Sequence, residues 1–161
     1  MMKEYRNNGS IGAILDEYEK ALTEMEYLIT DLKNEDLAFI VDNKTDDSDC
    51  KSIQTILTHV IRAGYNYVIE IRKSFGEKID FIEHKTFKTA EEYALELKKM
   101  FEYNEKLFKD YPNLNFEAYK SERKILTKWG QLYDIEQLYE HAIVHVLRHR
   151  RQIEKFIITL N

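Results

Sequence analysis

A chain of 161 residues, 43% hydrophobic, can bury one core of its own but is too short for two well-filled domains, so a single domain over 1–161 is expected. Five glycines and one proline leave little material for the tight turns of an all-β protein, and a net charge of -5 argues against a general nucleic-acid binder, which needs a basic surface to displace phosphate counterions. The one cysteine, Cys50, excludes an intrachain disulfide and fits a reducing compartment.

The chain opens on Met1-Met2-Lys3-Glu4-Tyr5-Arg6 without the apolar run of a signal peptide, and no stretch approaches the roughly 20 apolar residues of a membrane span. A cytoplasmic protein is expected. From Ser10, apolar residues recur in steps of three and four at Ile11, Ile14, Leu15, Tyr18, Leu22, Met25, Ile29 and Leu32, which predicts a first helix over 10–33. The acidic run from Asp42 to Asp49 follows. It lacks the central glycine and terminal glutamate of a calcium loop and reads as a solvated connection, with Cys50 as an ordinary loop thiol.

Ser52 opens a second helix over 52–75 carrying Ile53, Ile56, Leu57, Val60, Gly64, Val68 and Ile71, with Gly76 as its stop. His84 lies in the next connection, between Glu83 and Lys85, where a solvated role is expected. Thr89 and Glu92 form a capping box for a third helix over 89–111, which Tyr111-Pro112 ends. Asp134 with Gln137 caps a fourth over 134–160. Four amphipathic helices of similar length predict an all-α four-helix bundle. The connections, roughly 18, 13 and 22 residues, exceed those of a simple up-down-up-down bundle and leave room for parallel neighbours.

The fourth helix holds the feature that points to chemistry. His141, His145 and His149 stand four residues apart, so a helix stacks them one turn above another, the geometry by which one helix gives a metal ion two ligands. At about 100° per residue, with Ile135 at zero, they fall at roughly 240°, 280° and 320°. His149 and His145 therefore face the core flank and His141 the rim. Burying two adjacent histidines leaves several ring nitrogens to satisfy, whereas a metal takes one from each and lets the other donate outward. A third ligand has to come from elsewhere, and His59, on the flank of the second helix, is the candidate. His141 stays as a reserve ligand, a supporting group or a surface residue.

The segments Ser52-Ile53-Gln54-Thr55-Ile56-Leu57-Thr58-His59-Val60 and His145-Val146-Leu147-Arg148-His149-Arg150-Arg151-Gln152-Ile153 resemble the DinB-like superfamily of metal-binding four-helix bundles, which includes YfiT-type and DfsB-type proteins. Trp129-Gly130, just before the fourth helix, is similar to a pattern often found there. The resemblance implies His59, His145 and His149 as the metal ligands, a bundle of up-down-down-up order, and homodimers in many members. One departure is visible: Arg151 stands where the family usually has glycine, while the ligand positions are untouched.

Three neutral imidazoles leave a divalent ion, zinc or nickel by preference with iron or manganese as alternatives, its full charge and an open position. Such an ion suits hydrolysis or the binding of a thiol as thiolate. The resemblance points the same way, towards S-transfer with a low-molecular-weight thiol on a small-molecule substrate. No general base stands beside the first histidine as in His-Glu-x-x-His proteases, since Val146 follows His145, and no catalytic residue is assigned. Arg148, Arg150 and Arg151 could hold an anionic substrate, but pairing with nearby acids is the expected role. The competing expectation is a noncatalytic bundle in which the metal braces two helices and the protein acts by dimerisation or in a stress response.

Overall fold

Three of the four long helices begin at the caps the sequence marks. Ser52, Thr89 and Asp134 each accept a hydrogen bond through the side chain from the backbone N–H three residues on, and Thr55, Glu92 and Gln137 answer with the reciprocal bond. Each cap satisfies donors that the first helical turn leaves orphaned. The computed structural model describes residues 4–118 and 120–161. Its elements in chain order are α1 (Gly9–Ile29), α2 (Asn34–Ala38), a 3-10 turn (Ser48–Cys50), α3 (Ile53–Ser74), α4 (Ala90–Asp110), a second 3-10 turn (Ser121–Arg123), β1 (Ile125–Leu126), β2 (Leu132–Tyr133) and α5 (Ile135–Leu160).

The protein is mostly helical, in keeping with the all-α expectation: 64% of it is helix and 3% strand. The first helix is shorter than its periodicity suggests. It stops at Ile29, where the Thr30 hydroxyl donates to the Glu26 carbonyl at 3.0 Å and Leu32 N–H tightens onto the Ile29 carbonyl at 3.1 Å. Hydroxyl competition of this kind weakens a helix end. Leu32 still packs against the core from the turn beyond. The short α2 and the β1–β2 hairpin were not anticipated. In the hairpin Ile125 pairs with Tyr133 and Leu126 with Leu132, and Gly130 adopts φ +84°, a conformation that disfavours other residues.

Residue pairs fix how the long helices run. Tyr18 meets Tyr139 and Glu24 pairs with Arg150, so α1 and α5 advance together. Thr58 bonds Tyr93 and Arg72 bonds Asp110, so α3 and α4 also advance together. Lys98 pairs with Glu26 while Tyr18 meets Phe101, which sets α4 against α1. Tyr67 meets His141 while His59 meets His149, which sets α5 against α3. The core between them includes Met25, Ile56, Leu57, Val68, Leu97, Met100, Leu138 and Ile153, all inaccessible to solvent. At Gly64 the α3 backbone comes so close to α4 that an added β-carbon would overlap Met100 Sδ. No helix of the described residues is long and apolar enough to cross a membrane.

Candidate metal centre

The seam between α3 and α5 carries the histidines. His59 projects from the second turn of α3, and His145 and His149 project from successive turns of α5, which runs the opposite way. Their ring centroids stand 4.8 Å apart for His59 and His145, 5.0 Å for His59 and His149, and 4.5 Å for His145 and His149. One ligand atom from each of the three lies within 4.8 Å of the other two, so they could together hold a metal ion. His145 and His149 are buried and His59 is partly so.

Hydrogen bonds define which nitrogens are available. Asp49 Oδ2 lies 2.9 Å from His59 Nδ1, and a carboxylate only accepts, so Nδ1 carries the proton and Nε2 is left with a bare lone pair. Gln152 Oε1 stands 3.1 Å from His149 Nδ1 and imposes the same tautomer there. The bare Nε2 of His59 faces Nε2 of His145 at 2.8 Å. Without a cation between them, that contact needs His145 to donate a proton. Tetrahedral coordination at about 2.0–2.1 Å spaces ligand nitrogens roughly 3.3 Å apart, between the closest approach here and the 4.8 Å limit. Small ring rotations suffice to meet it.

The electrostatics favour neutral rings. Burial, then the neighbouring His149 and His59, push the His145 imidazole down to about 2. Burial also lowers His149, with His59 acting in the same direction and Gln152 opposing. In His59 burial outweighs the upward pull of Asp49. All three thus stay uncharged at neutral pH, each with one ring nitrogen free of a proton, the state in which imidazole binds a metal.

The 3-10 turn Ser48–Cys50 brings Asp49 to this site. Asp49 also receives Arg62 Nη2 at 2.9 Å on the same oxygen and lies 3.2 Å from His84 Nε2 through the other. His84, expected to be merely solvated, is half-exposed but held by this carboxylate. The acidic run is likewise more than a solvated connection. Asp42 and Asp47 accept backbone N–H groups within it, and Asp49 serves the centre. Cys50 contacts Asp47 and Gln152, and burial raises its thiol above the ordinary range.

His141 does not join the other three. Its ring stacks on Trp129 at 5.5 Å and 27°, and its Nδ1 lies 3.3 Å from the Tyr133 hydroxyl. Tyr67 stands edge-on to both His141 and His145. The hairpin thus lays an aromatic wall beside the centre. Two clefts flank it. One of about 620 Å3 is lined by His59, Arg62, Tyr67, His84 and Trp129, and one of about 380 Å3 by Tyr133, Gln137, His141, His145 and Arg148. A further groove of about 600 Å3, between α1 and α4, touches none of the histidines. Arg150 reaches away to Glu24 and Glu154, and Arg151 is exposed, so its bulk meets solvent rather than a neighbouring helix.

Among sequences and structures, the chain matches no family model, no curated protein and no solved structure.

Proposed function

We propose that the chain is a divalent-metal protein of the DinB-like type and a metal-dependent enzyme that acts on a small molecule by thiol transfer or hydrolysis. The observation that carries this reading is the convergence of three neutral imidazoles, two of them with the outer nitrogen already committed to Asp49 and Gln152. Metal-ligating histidines are oriented in this way by groups behind them. The four helix pairings support a single four-helix-bundle domain of up-down-down-up order, with α1 and α5 in one direction and α3 and α4 in the other. Homodimerisation remains part of the proposal through the family resemblance alone, and a cytoplasmic setting through the lone cysteine and the lack of a long apolar run in the sequence.

A divalent ion at this centre, zinc or nickel by donor type, would supply Lewis acidity that brings a bound water or thiol towards ionisation at neutral pH. The chain's own residues do the rest. Asp49 and Gln152 hold two rings in register, and Tyr67, Trp129 and His141 wall the clefts on either side of His145. Burial holds the Tyr67 phenol protonated well past neutrality, so it can donate but does not act as a base there.

A noncatalytic reading is favoured by one observation: the ligands come from α3 and α5, so an ion would also brace those helices. The clefts on both sides of the rings favour catalysis. The discriminating experiment compares metal-loaded and metal-free protein across electrophilic substrates with several cellular thiols, and across simple esters and amides. Metal-dependent turnover lost in His145→Ala supports the enzyme. No rate above the metal-free control on any of them supports the brace.

A further inference from the structure

In the α5 basic cluster neither Arg148 nor Arg151 forms an ion pair among the described residues, and Arg148 is the one that lines the cleft beside His145. Arg150 has Glu154 one turn on and Glu24 across from it. Arg148 has Val144, His145, Arg151 and Gln152 at the helical positions three and four residues away, none of them acidic, and among the described residues it forms no ion pair. Its side chain is exposed and lines the 380 Å3 cleft together with His145, His141, Tyr133 and Gln137.

The charges around this cleft do not balance. Asp49, the carboxylate behind His59, is already shared by Arg62 and His84 on the other side of the rings. Glu140 is the one acid lining the Arg148 cleft, and it lies two helical turns from Arg148, beyond the reach of an intrahelical pair. With a divalent ion held by the three imidazoles, His145 would be the ligand that borders this cleft, and Arg148 the second positive group on its wall. Arginine is suited to this task because its planar fork binds a carboxylate through two parallel hydrogen bonds.

We propose that this cleft is an anion subsite in which Arg148 binds the carboxylate of a small-molecule substrate whose reacting group lies at the histidine centre. The inference rests on the metal reading above and names the substrate class for that site. Arg148 sets specificity rather than chemistry, since it reaches the far end of the ligand.

Cobalt-loaded protein tests it without any turnover assay. 4-Mercaptobutanoate and 4-mercaptobutan-1-ol share a thiol and differ in a carboxylate too far from the sulfur to close a favourable chelate ring, and thiolate bound to cobalt gives an intense near-ultraviolet band that can be titrated. Wild-type protein is expected to bind 4-mercaptobutanoate about tenfold or more tighter, the size of a charged hydrogen-bonded contact. Arg148→Gln abolishes that preference while binding 4-mercaptobutan-1-ol as before, and Arg151→Gln keeps it. Arg148 is exposed and unpaired, so its removal leaves the fold intact. Equal affinity for the two thiols in wild type, or a preference that survives Arg148→Gln, overturns the subsite and leaves the metal reading standing. Failure to bind cobalt at all, seen before any thiol is added, overturns both.

Discussion

The Asp49 carboxylate lies 2.9 Å from His59 Nδ1, so a residue of a 3-10 turn decides which nitrogen of a helix histidine faces the other two imidazoles. Removing a group in this position typically weakens metal binding 10- to 100-fold, roughly. Asp49→Ala is therefore expected to lower apparent zinc affinity by about that factor, with Asp49→Asn less affected because the amide oxygen can still accept. Competition with a chelator of known affinity measures it. An Asp49→Ala protein that binds as tightly as wild type would remove Asp49 from the centre.

His141 belongs to the aromatic wall and lies outside the cluster of His59, His145 and His149. Its ring stacks on Trp129, the only tryptophan in the chain, so one emission spectrum reports on that contact. His141→Ala should shift the tryptophan emission and leave metal stoichiometry unchanged, whereas His145→Ala should lose the metal. Loss of metal in His141→Ala would place the ring among the ligands after all.

The metal-free protein should lose stability as the pH falls below about 6.5, the ordinary value for histidine. His145, His149 and His59 all have lowered affinity for protons in the folded state, His145 down to about 2. Below that ordinary value the unfolded chain binds protons that the folded chain refuses, so unfolding becomes easier. The slope approaches about 1.4 kcal/mol per pH unit for each ring that stays neutral. Urea midpoints of metal-free protein at pH 7.5 and 5.0 check this; equal midpoints would contradict the burial of the rings.

Gly64 is expected to resist even the smallest side chain. An alanine gains about 1 kcal/mol of intrinsic helix preference, while overpacking a filled core costs about 1–3 kcal/mol. Met100 cannot easily move aside, because Tyr18 Oη bonds its sulfur at 3.6 Å and Asn104 Nδ2 does so at 3.4 Å. The second effect should win, and Gly64→Ala should lower stability by about 1 kcal/mol, read as a lower urea midpoint at unchanged slope.

The helices were legible because burial imposes a period on α1, α3, α4 and α5 and because Ser52, Thr89 and Asp134 are strong caps. The three histidines were legible from spacing on α5 and from the flank position of His59 on α3, and the structure brings all three together. Asp49 was hidden because its partner is ten residues away around a turn whose path no periodicity reports. Its only trace was chemical: a ligating imidazole needs an acceptor behind it, and the acidic run was the nearest source. His84 was missed for the same reason. The hairpin left no signal beyond Gly130, since two residues per strand are too few to show alternation. Arg148 and Arg150 differ in sequence only by the Glu154 that stands one turn on from Arg150, and Glu24, contributed by α1, completes the separation of their roles.

The most direct test of the centre is metal content. Protein purified without added metal and passed over a weak chelator should carry close to one divalent ion per chain by elemental analysis. That content should be lost in the His145→Ala/His149→Ala double variant and reduced in His59→Ala, with helical content unchanged in each. Full metal retention in the double variant would contradict the assignment.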